Sequence, residues 1–135
     1  MTLCDAGPLV ALIDRSDRDH RACTEALPAL RGPLITTWPC LTEAMYLLGA
    51  WAGHPAQESL WNLVDRGVVS LHYPVEAERF RMRELMAAYR DTPMDFADDS
   101  LCSAAEVLDL TTVFTTDRHF HAYRVARNRA FAVLP

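Results

Sequence analysis

Short apolar segments alternate with helical patterns along the whole chain, and this alternation is what most constrains the fold. The predicted strands are residues 2–5, 34–37, 68–72, 112–115 and 130–134. Helical patterns separate them, at residues 9–14, 17–30, 41–51, 55–66, 75–89, 96–108 and 117–123. Strands that alternate with helices form βαβ units, which favour a mainly parallel sheet covered by helices on both faces. We therefore predict an α/β fold of about five strands, and residues 1–135 have the length of one domain.

The charge pattern excludes several classes of function. All 13 basic residues are Arg, so chemistry that needs a Lys, as in a P-loop, a Schiff base or a phospho-acceptor receiver domain, is excluded. The net charge of −5 argues against a simple polyanion-binding protein, which usually carries a basic surplus.

The N-terminal residues, the apolar segments and the cysteine spacing together predict the cellular location. The first residues lack the basic region of a signal peptide and include the acid Asp5, and no segment is apolar enough to span a membrane. Its four cysteines form no C-x-x-C pair. We therefore expect free thiols in a cytoplasmic protein that does not bind a membrane. In the helix over residues 75–89, Phe80, Leu85 and Met86 are the predicted core residues.

Two acidic residues follow predicted strands. Asp5 ends the first strand, and Asp117 comes directly after the strand over residues 112–115. Functional groups of open α/β sheets lie beyond the carboxyl ends of the strands. Each residue also has a structural interpretation, because Asp is common in turns and at helix N-caps.

Further acids lie on two predicted helices. Glu43 is the only charged residue between Gly32 and Gly53, which favours a functional role over a solvated helix face; the alternative is a favourable interaction with the helix dipole. Asp95 fits an N-cap, and Asp98 lies one turn later on a similar face, which favours a functional role for Asp98. The carboxylate of Asp99 points about 100° away from that of Asp98, and we expect it in solvent.

The four acids Asp5, Glu43, Asp98 and Asp117 are predicted to converge at one edge of the sheet. Converging carboxylates repel one another and raise their pKa values unless a cation neutralises them. Mg²⁺ prefers oxygen ligands and can be held by carboxylates together with a substrate phosphate. The pattern is typical of phosphodiester hydrolysis, in which bound metal orients water and neutralises developing charge.

At these residues the sequence resembles the PIN domain, in particular the small ribonuclease toxins of the VapC type. The resemblance spans essentially the whole chain and is carried by four motifs in the family's order: Leu3–Leu9, Leu41–Ala44, Met94–Leu101 and Thr115–Phe120. Asp99 is a mild departure, because the family often has a small residue at that position.

The resemblance implies a site and a reaction. Asp5, Glu43, Asp98 and Asp117 would hold Mg²⁺ or Mn²⁺ and act catalytically, with Thr115 as a supporting residue and Asp95 as a supporting residue or a cap. The implied activity is metal-dependent endonucleolytic cleavage of RNA to products with a 5′-phosphate and a 3′-hydroxyl.

The resemblance also implies partners. The chain would be the toxin of a type II toxin–antitoxin pair, inhibited by a small antitoxin protein, and a homodimer. Trp51, Leu60 and Trp61, if exposed, would serve the antitoxin groove or the dimer face, and otherwise belong to the core.

Basic residues follow the last acid. Arg118, His119 and Arg124 are candidate RNA contacts in a segment, residues 118–135, that contains four Arg and no acid. The alternative is an ordinary solvated surface.

Two other functions compete with RNA cleavage. A small metal-dependent phosphatase would show a D-x-D pattern after the first strand, whereas Asp5 is followed by Ala6 and Gly7. A PIN-like scaffold that binds RNA or protein without cutting would have no need to keep four mutually repelling acids.

Overall fold

The computed structural model describes residues 1–135. Its strands, in chain order, are β1 (Thr2–Cys4), β2 (Leu34–Thr37), β3 (Val69–His72), β4 (Thr112–Phe114), β5 (Arg124–Val125), β6 (Arg129–Ala130) and β7 (Ala132–Leu134). Its helices are α1 (Ala6–Ile13), α2 (His20–Ala26), α3 (Trp38–Trp51), α4 (His54–Asp65), α5 (Glu76–Ala88) and α6 (Phe96–Leu108). Short 3₁₀ turns lie between these elements, at Leu27–Ala29, Arg118–His121 and Ala126–Asn128.

The main sheet has five strands in the order β3-β2-β1-β4-β7, and every neighbouring pair is parallel. Strands β5 and β6 form a separate antiparallel ribbon. The centre of the sheet is β1, so the first residues of the chain lie between β2 and β4.

Alternate residues of the central strands face two separate cores, as the two-residue period of a strand requires. Leu3 pairs with Val113, and both belong to the core covered by α5 and α6. Cys4 pairs with Phe114 one position later, and both belong to the core covered by α1 to α4. The predicted α/β fold, with a parallel sheet of five strands flanked by helices on both faces, is confirmed.

Several predicted elements differ from the observed ones, among them the helix over residues 117–123, which is a 3₁₀ turn at Arg118–His121, and the helix over residues 41–51, which begins at Trp38. The first helix begins at Ala6 rather than Leu9, because Asp5 caps it and Pro8 is tolerated in a first turn. The predicted helix over residues 17–30 is shorter, since α2 ends at Ala26 and a 3₁₀ turn follows around Pro28, whose ring cannot donate a backbone hydrogen bond. The last predicted strand is divided into β6 and β7.

Two predicted core residues are on the surface. Leu85 is buried, but Phe80 is 59% exposed and Met86 is 41% exposed. The guanidinium of Arg79 stacks over the Phe80 ring at 4.6 Å. Helix α5 therefore buries a narrower face than its apolar residues suggested, and the prediction for Phe80 and Met86 was wrong.

All four cysteines are buried and unpaired. No helix combines the length and the apolar character that crossing a membrane would require.

We predict that Phe114→Ala lowers the free energy of unfolding by about 3–5 kcal/mol, because Phe114 is fully buried in the central sheet. The matched substitution Phe80→Ala should change it by no more than about 0.5 kcal/mol. Urea denaturation of both variants measures the difference, and equal losses would contradict the assignment of the two side chains to core and surface.

Candidate active site

The carboxyl ends of β1 and β4 open into an acidic pocket of about 240 Å³. Because these strands are neighbours in the sheet, Asp5 and Asp117 lie side by side at its edge. Helix α3 contributes Glu43, and the start of α6 contributes Asp95 and Asp98. All four predicted acids line this one pocket, together with Asp95.

Asp5 is buried and held by three neighbours. Its Oδ1 accepts a 2.7 Å hydrogen bond from the Ala6 N–H, and its Oδ2 accepts one of 2.7 Å from the Thr115 hydroxyl. The Cys40 thiol lies 3.8 Å from Oδ1. Burial raises the pKa of Asp5, the bonds from Thr115 and Ala6 oppose that rise, and the charges of Asp117 and Asp95 add to it.

Thr115 joins the two strand-end acids. Besides donating to Asp5, its hydroxyl accepts a 3.0 Å bond from the Asp117 N–H. Asp117 in turn accepts a 2.9 Å bond from the His119 N–H, and the His119 Nδ1 lies 2.8 Å from the same oxygen. The side chain of Thr115 therefore fixes the loop that carries Asp117.

Asp98 is a buried acid of the pocket whose pKa is strongly raised. It is 4% exposed, and its Oδ2 accepts a 3.1 Å bond from the Tyr123 hydroxyl. Burial and then, in decreasing order, the charges of Asp95, Asp5 and Asp117 raise its pKa to about 8, while the Tyr123 bond opposes the rise. At neutral pH this carboxyl is largely protonated unless a cation is bound.

Three of the acids also cap helical turns. Asp5 caps α1, Asp95 caps α6 by accepting a 2.8 Å bond from the Asp98 N–H, and Asp117 caps the 3₁₀ turn at Arg118–His121. The Asp98 carboxylate returns a 3.4 Å contact to the Asp95 N–H, which completes a capping box. The structural and functional interpretations of these acids are therefore compatible.

Glu43 lies at the rim of the pocket. It is exposed. The expectation that Glu43 does not lie on a solvated helix face was wrong, because α3 also exposes Tyr46 and Trp51 to solvent. Partial desolvation raises the pKa of Glu43, and the charges of Asp5, Asp95 and Asp117 raise it too.

Asp99 is fully buried, so the expectation that it points into solvent was wrong. Neither of its carboxylate oxygens has a hydrogen-bond partner. Burial raises its pKa to about 7, and the positive charge of Arg81 opposes the rise. Helix α6 is buried on most of its faces from Ala97 to Ala105. The Asp99 side chain is therefore still inside the protein, although it points about 100° away from that of Asp98.

The basic candidates differ in their availability. Arg118 is exposed beside Asp117, next to the acidic pocket. His119 is also exposed, but it is engaged with Asp117. The guanidinium of Arg124 donates to the carbonyl oxygens of His121 and Tyr123, at 2.9 and 2.8 Å.

Sequence analysis missed three residues that shape the pocket. Tyr123 and Cys40 contact Asp98 and Asp5 across 25 and 35 residues of chain, and no motif or spacing signals either contact. Gly7 lines the pocket, and a Cβ there would lie only 2.6 Å from the Thr116 Oγ1. The Gly-Pro pair after Asp5 was the available signal for such a close approach.

The donor set suits a hard divalent cation, since it consists of carboxylate oxygens that repel one another when no cation is bound. No three His, Cys, Asp or Glu side chains are arranged as a ready-made metal site. Mg²⁺ usually keeps several waters and takes one or two carboxylates together with substrate phosphate, so an open pocket of this kind is compatible with it.

The chain is similar to a curated relative and to solved structures. The chain is 25% identical over 134 residues to Ribonuclease VapC26 of Mycobacterium tuberculosis (strain ATCC 25618 / H37Rv), covering 98% of this chain and 99% of the relative. The fold matches VapC20 of Mycobacterium tuberculosis, a sarcin-ricin loop cleaving toxin, with a TM-score of 0.83 at 17% identity over 90% of this chain and 94% of that one. No protein-family profile matches the chain.

A second solved structure is FitAcB from Neisseria gonorrhoeae. It matches with a TM-score of 0.58 and 15% identity, over 87% of this chain and 88% of that one. At these identities the two structural matches establish the fold, while the sequence match covers nearly the full length of both proteins.

We predict that Asp98→Asn removes much of the pH dependence of stability. A carboxyl whose pKa is raised to about 8 binds its proton more tightly in the folded state, so its contribution to stability falls as pH rises from about 4 to about 8. With a chelator present, the melting temperature of the wild type should fall between about pH 5 and about pH 8, and that of Asp98→Asn should fall less.

Asp65→Asn is the control for this measurement, because Asp65 is an exposed acid at the end of α4. It should keep the pH dependence of the wild type. If Asp98→Asn lost as much stability with rising pH as the wild type, the raised pKa of Asp98 would be contradicted.

Proposed function

We propose that this chain, a PIN-domain protein of the VapC type, is a divalent-cation-dependent endoribonuclease and the toxin of a type II toxin–antitoxin pair. The observation that carries the proposal is the convergence of five carboxylates in one pocket at the carboxyl edge of the sheet. The full-length similarity to Ribonuclease VapC26 supports it.

Asp5, Glu43, Asp98 and Asp117 would hold the cation, Mg²⁺ or Mn²⁺. When bound, the cation supplies positive charge for the scissile phosphate and its leaving oxygen, and lowers the pKa of water. Burial and then mutual repulsion raise the pKa values of Asp5, Glu43 and Asp98, and binding would relieve the repulsion.

The chain's own residues orient these ligands. Thr115 holds the Asp5 carboxylate and the backbone of Asp117, and Tyr123 holds one oxygen of Asp98. The N-terminus of α6 stabilises negative charge beside Asp98 through the positive end of the helix dipole. Asp95 acts mainly as the cap of that helix, which positions Asp98.

Basic side chains next to the pocket would contact RNA phosphates. Arg118 is the best placed, because it is exposed and beside Asp117. His119 would first have to leave Asp117, and Arg124 would first have to release the two carbonyl groups that it binds.

The proposed partners are an RNA substrate, an antitoxin protein and a second copy of the chain, in the cytoplasm. Leu60 belongs to the core, since it is fully buried. Trp51 and Trp61 are 64% and 40% exposed and therefore stay candidates for the antitoxin groove or the dimer face.

We predict that Asp5→Asn and Asp98→Asn each lower RNA cleavage by at least about a hundredfold, because each removes a charge needed to hold the cation. Cleavage of a mixed RNA pool, with mapping of 5′-phosphate ends, measures the effect. Asp65→Asn should cleave like the wild type. Full cleavage by a folded Asp98→Asn protein in Mg²⁺ would exclude the proposed site, and a wild type that binds RNA without cutting it would favour the scaffold alternative.

Excess EDTA should stop cleavage and lower the melting temperature only slightly, because the fold is held by its two cores rather than by the ion. Adding Mg²⁺ or Mn²⁺ should restore cleavage and raise the melting temperature of the wild type more than that of Asp98→Asn. Undiminished cleavage in excess chelator would rule out a metal-dependent mechanism.

A further inference from the structure

A second pocket of about 240 Å³, here called the aromatic pocket, lies at the same edge of the sheet as the acidic pocket. It is found where β2 and β3 end, between the first turns of α3 and α6 and one face of α5. Apolar side chains form its walls: Trp38, Pro39, Pro74, Met82 and Phe96.

The two aromatic side chains of this pocket are unusually exposed for their size. Trp38 is 40% exposed and Phe96 is 54% exposed, and each is the first residue of its helix. The Trp38 ring meets Tyr73 edge-to-face, with 6.0 Å between centroids. Two aromatic rings are therefore available to a flat ligand.

Polar groups at the pocket are already bonded to one another. The hydroxyls of Thr37 and Ser100 lie 2.6 Å apart, and the His72 Nε2 lies 3.0 Å from the buried Glu78 carboxylate. Glu78 also accepts a bond from Ser103, at 3.2 Å. A ligand would thus meet mainly apolar and aromatic contacts, which suit an uncharged, flat group better than an ion or a charged side chain.

The aromatic pocket and the acidic pocket share their supporting elements. Strands β2 and β1 are neighbours, α3 carries both Trp38 and Glu43, and α6 carries both Phe96 and Asp98. Cys40 joins the two pockets directly, since its N–H donates to Thr37 at 3.4 Å and its thiol lies 3.8 Å from Asp5.

We propose that the aromatic pocket binds a nucleobase of the RNA strand, next to the nucleotide whose phosphate enters the acidic pocket. This inference rests on the proposed ribonuclease function. A nucleotide has a flat, neutral base and a charged phosphate, and the two neighbouring pockets differ in polarity in the same way. Stacking on aromatic side chains is a common way to hold unpaired bases and tolerates different sequences.

The proposal is tested by the affinity of Phe96→Ala and Trp38→Ala for a short single-stranded RNA, measured by fluorescence anisotropy in the non-cleaving Asp98→Asn background. Each substitution should weaken binding by about tenfold, and Phe96→Tyr should restore it, because a Tyr ring still stacks. An RNA that lacks its bases should bind equally to the proteins with and without Phe96→Ala.

Phe80→Ala is the matched control, because Phe80 is as exposed as Phe96 but lies outside the pocket. It should bind RNA as the background protein does, and circular dichroism should show that all variants fold. In the cleaving protein, Phe96→Ala should lower kcat/KM by a factor similar to the loss in affinity.

The possible failures can be told apart. If the wild type cleaves RNA but Phe96→Ala and Trp38→Ala bind and cut RNA like Phe80→Ala, the base pocket is wrong and the ribonuclease function stands. If those variants instead lose self-association or antitoxin binding, the pocket is a protein contact and the proposal is overturned. A wild type that neither binds nor cleaves RNA would overturn both proposals.

Discussion

Repulsion among carboxylates at one edge of the sheet is the constraint on which the rest of this structure depends. Five acids line the acidic pocket, and three of them cap helical turns. The N–H groups at these turns stabilise negative charge, so the residues that form the pocket also decide where the helices begin. Tyr123 and Thr115 add hydroxyl donors to Asp98 and Asp5. Fold and site therefore cannot be changed independently around Asp5 and Asp98.

Much of this arrangement could be predicted from sequence, because it follows from local pattern. The parallel sheet follows from the alternation of strands and helices, and Asp5 and Asp117 come together because they follow strands that turn out to be neighbours. The N-cap role of Asp95 also follows from its position before an apolar helix. The resemblance to VapC-type PIN-domain proteins, first drawn from four short motifs, is confirmed by the full-length relative and the shared fold.

What could not be predicted depends on tertiary packing. The burial of Asp99 follows from how completely α6 is enclosed, and the exposure of Glu43 and Phe80 follows from which faces of α3 and α5 are left uncovered. The contacts of Tyr123 and Cys40 depend on the order of strands in the sheet, which periodicity does not reveal. The aromatic pocket could not be predicted either, because Trp38 and Phe96 are far apart in sequence and line one pocket only in the folded chain.

The central position of β1 has a consequence for biosynthesis. The strand that carries Asp5 is made first, yet the hydroxyl that fixes Asp5 belongs to Thr115, 110 residues later. Pairing of β1 with β4 likewise waits for residues 113 and 114. Since chains fold as their segments emerge during synthesis, the acidic pocket cannot assemble until residues 113–117 have left the ribosome. The five acids of the pocket are therefore brought together only late in folding, although the first of them is made at the start.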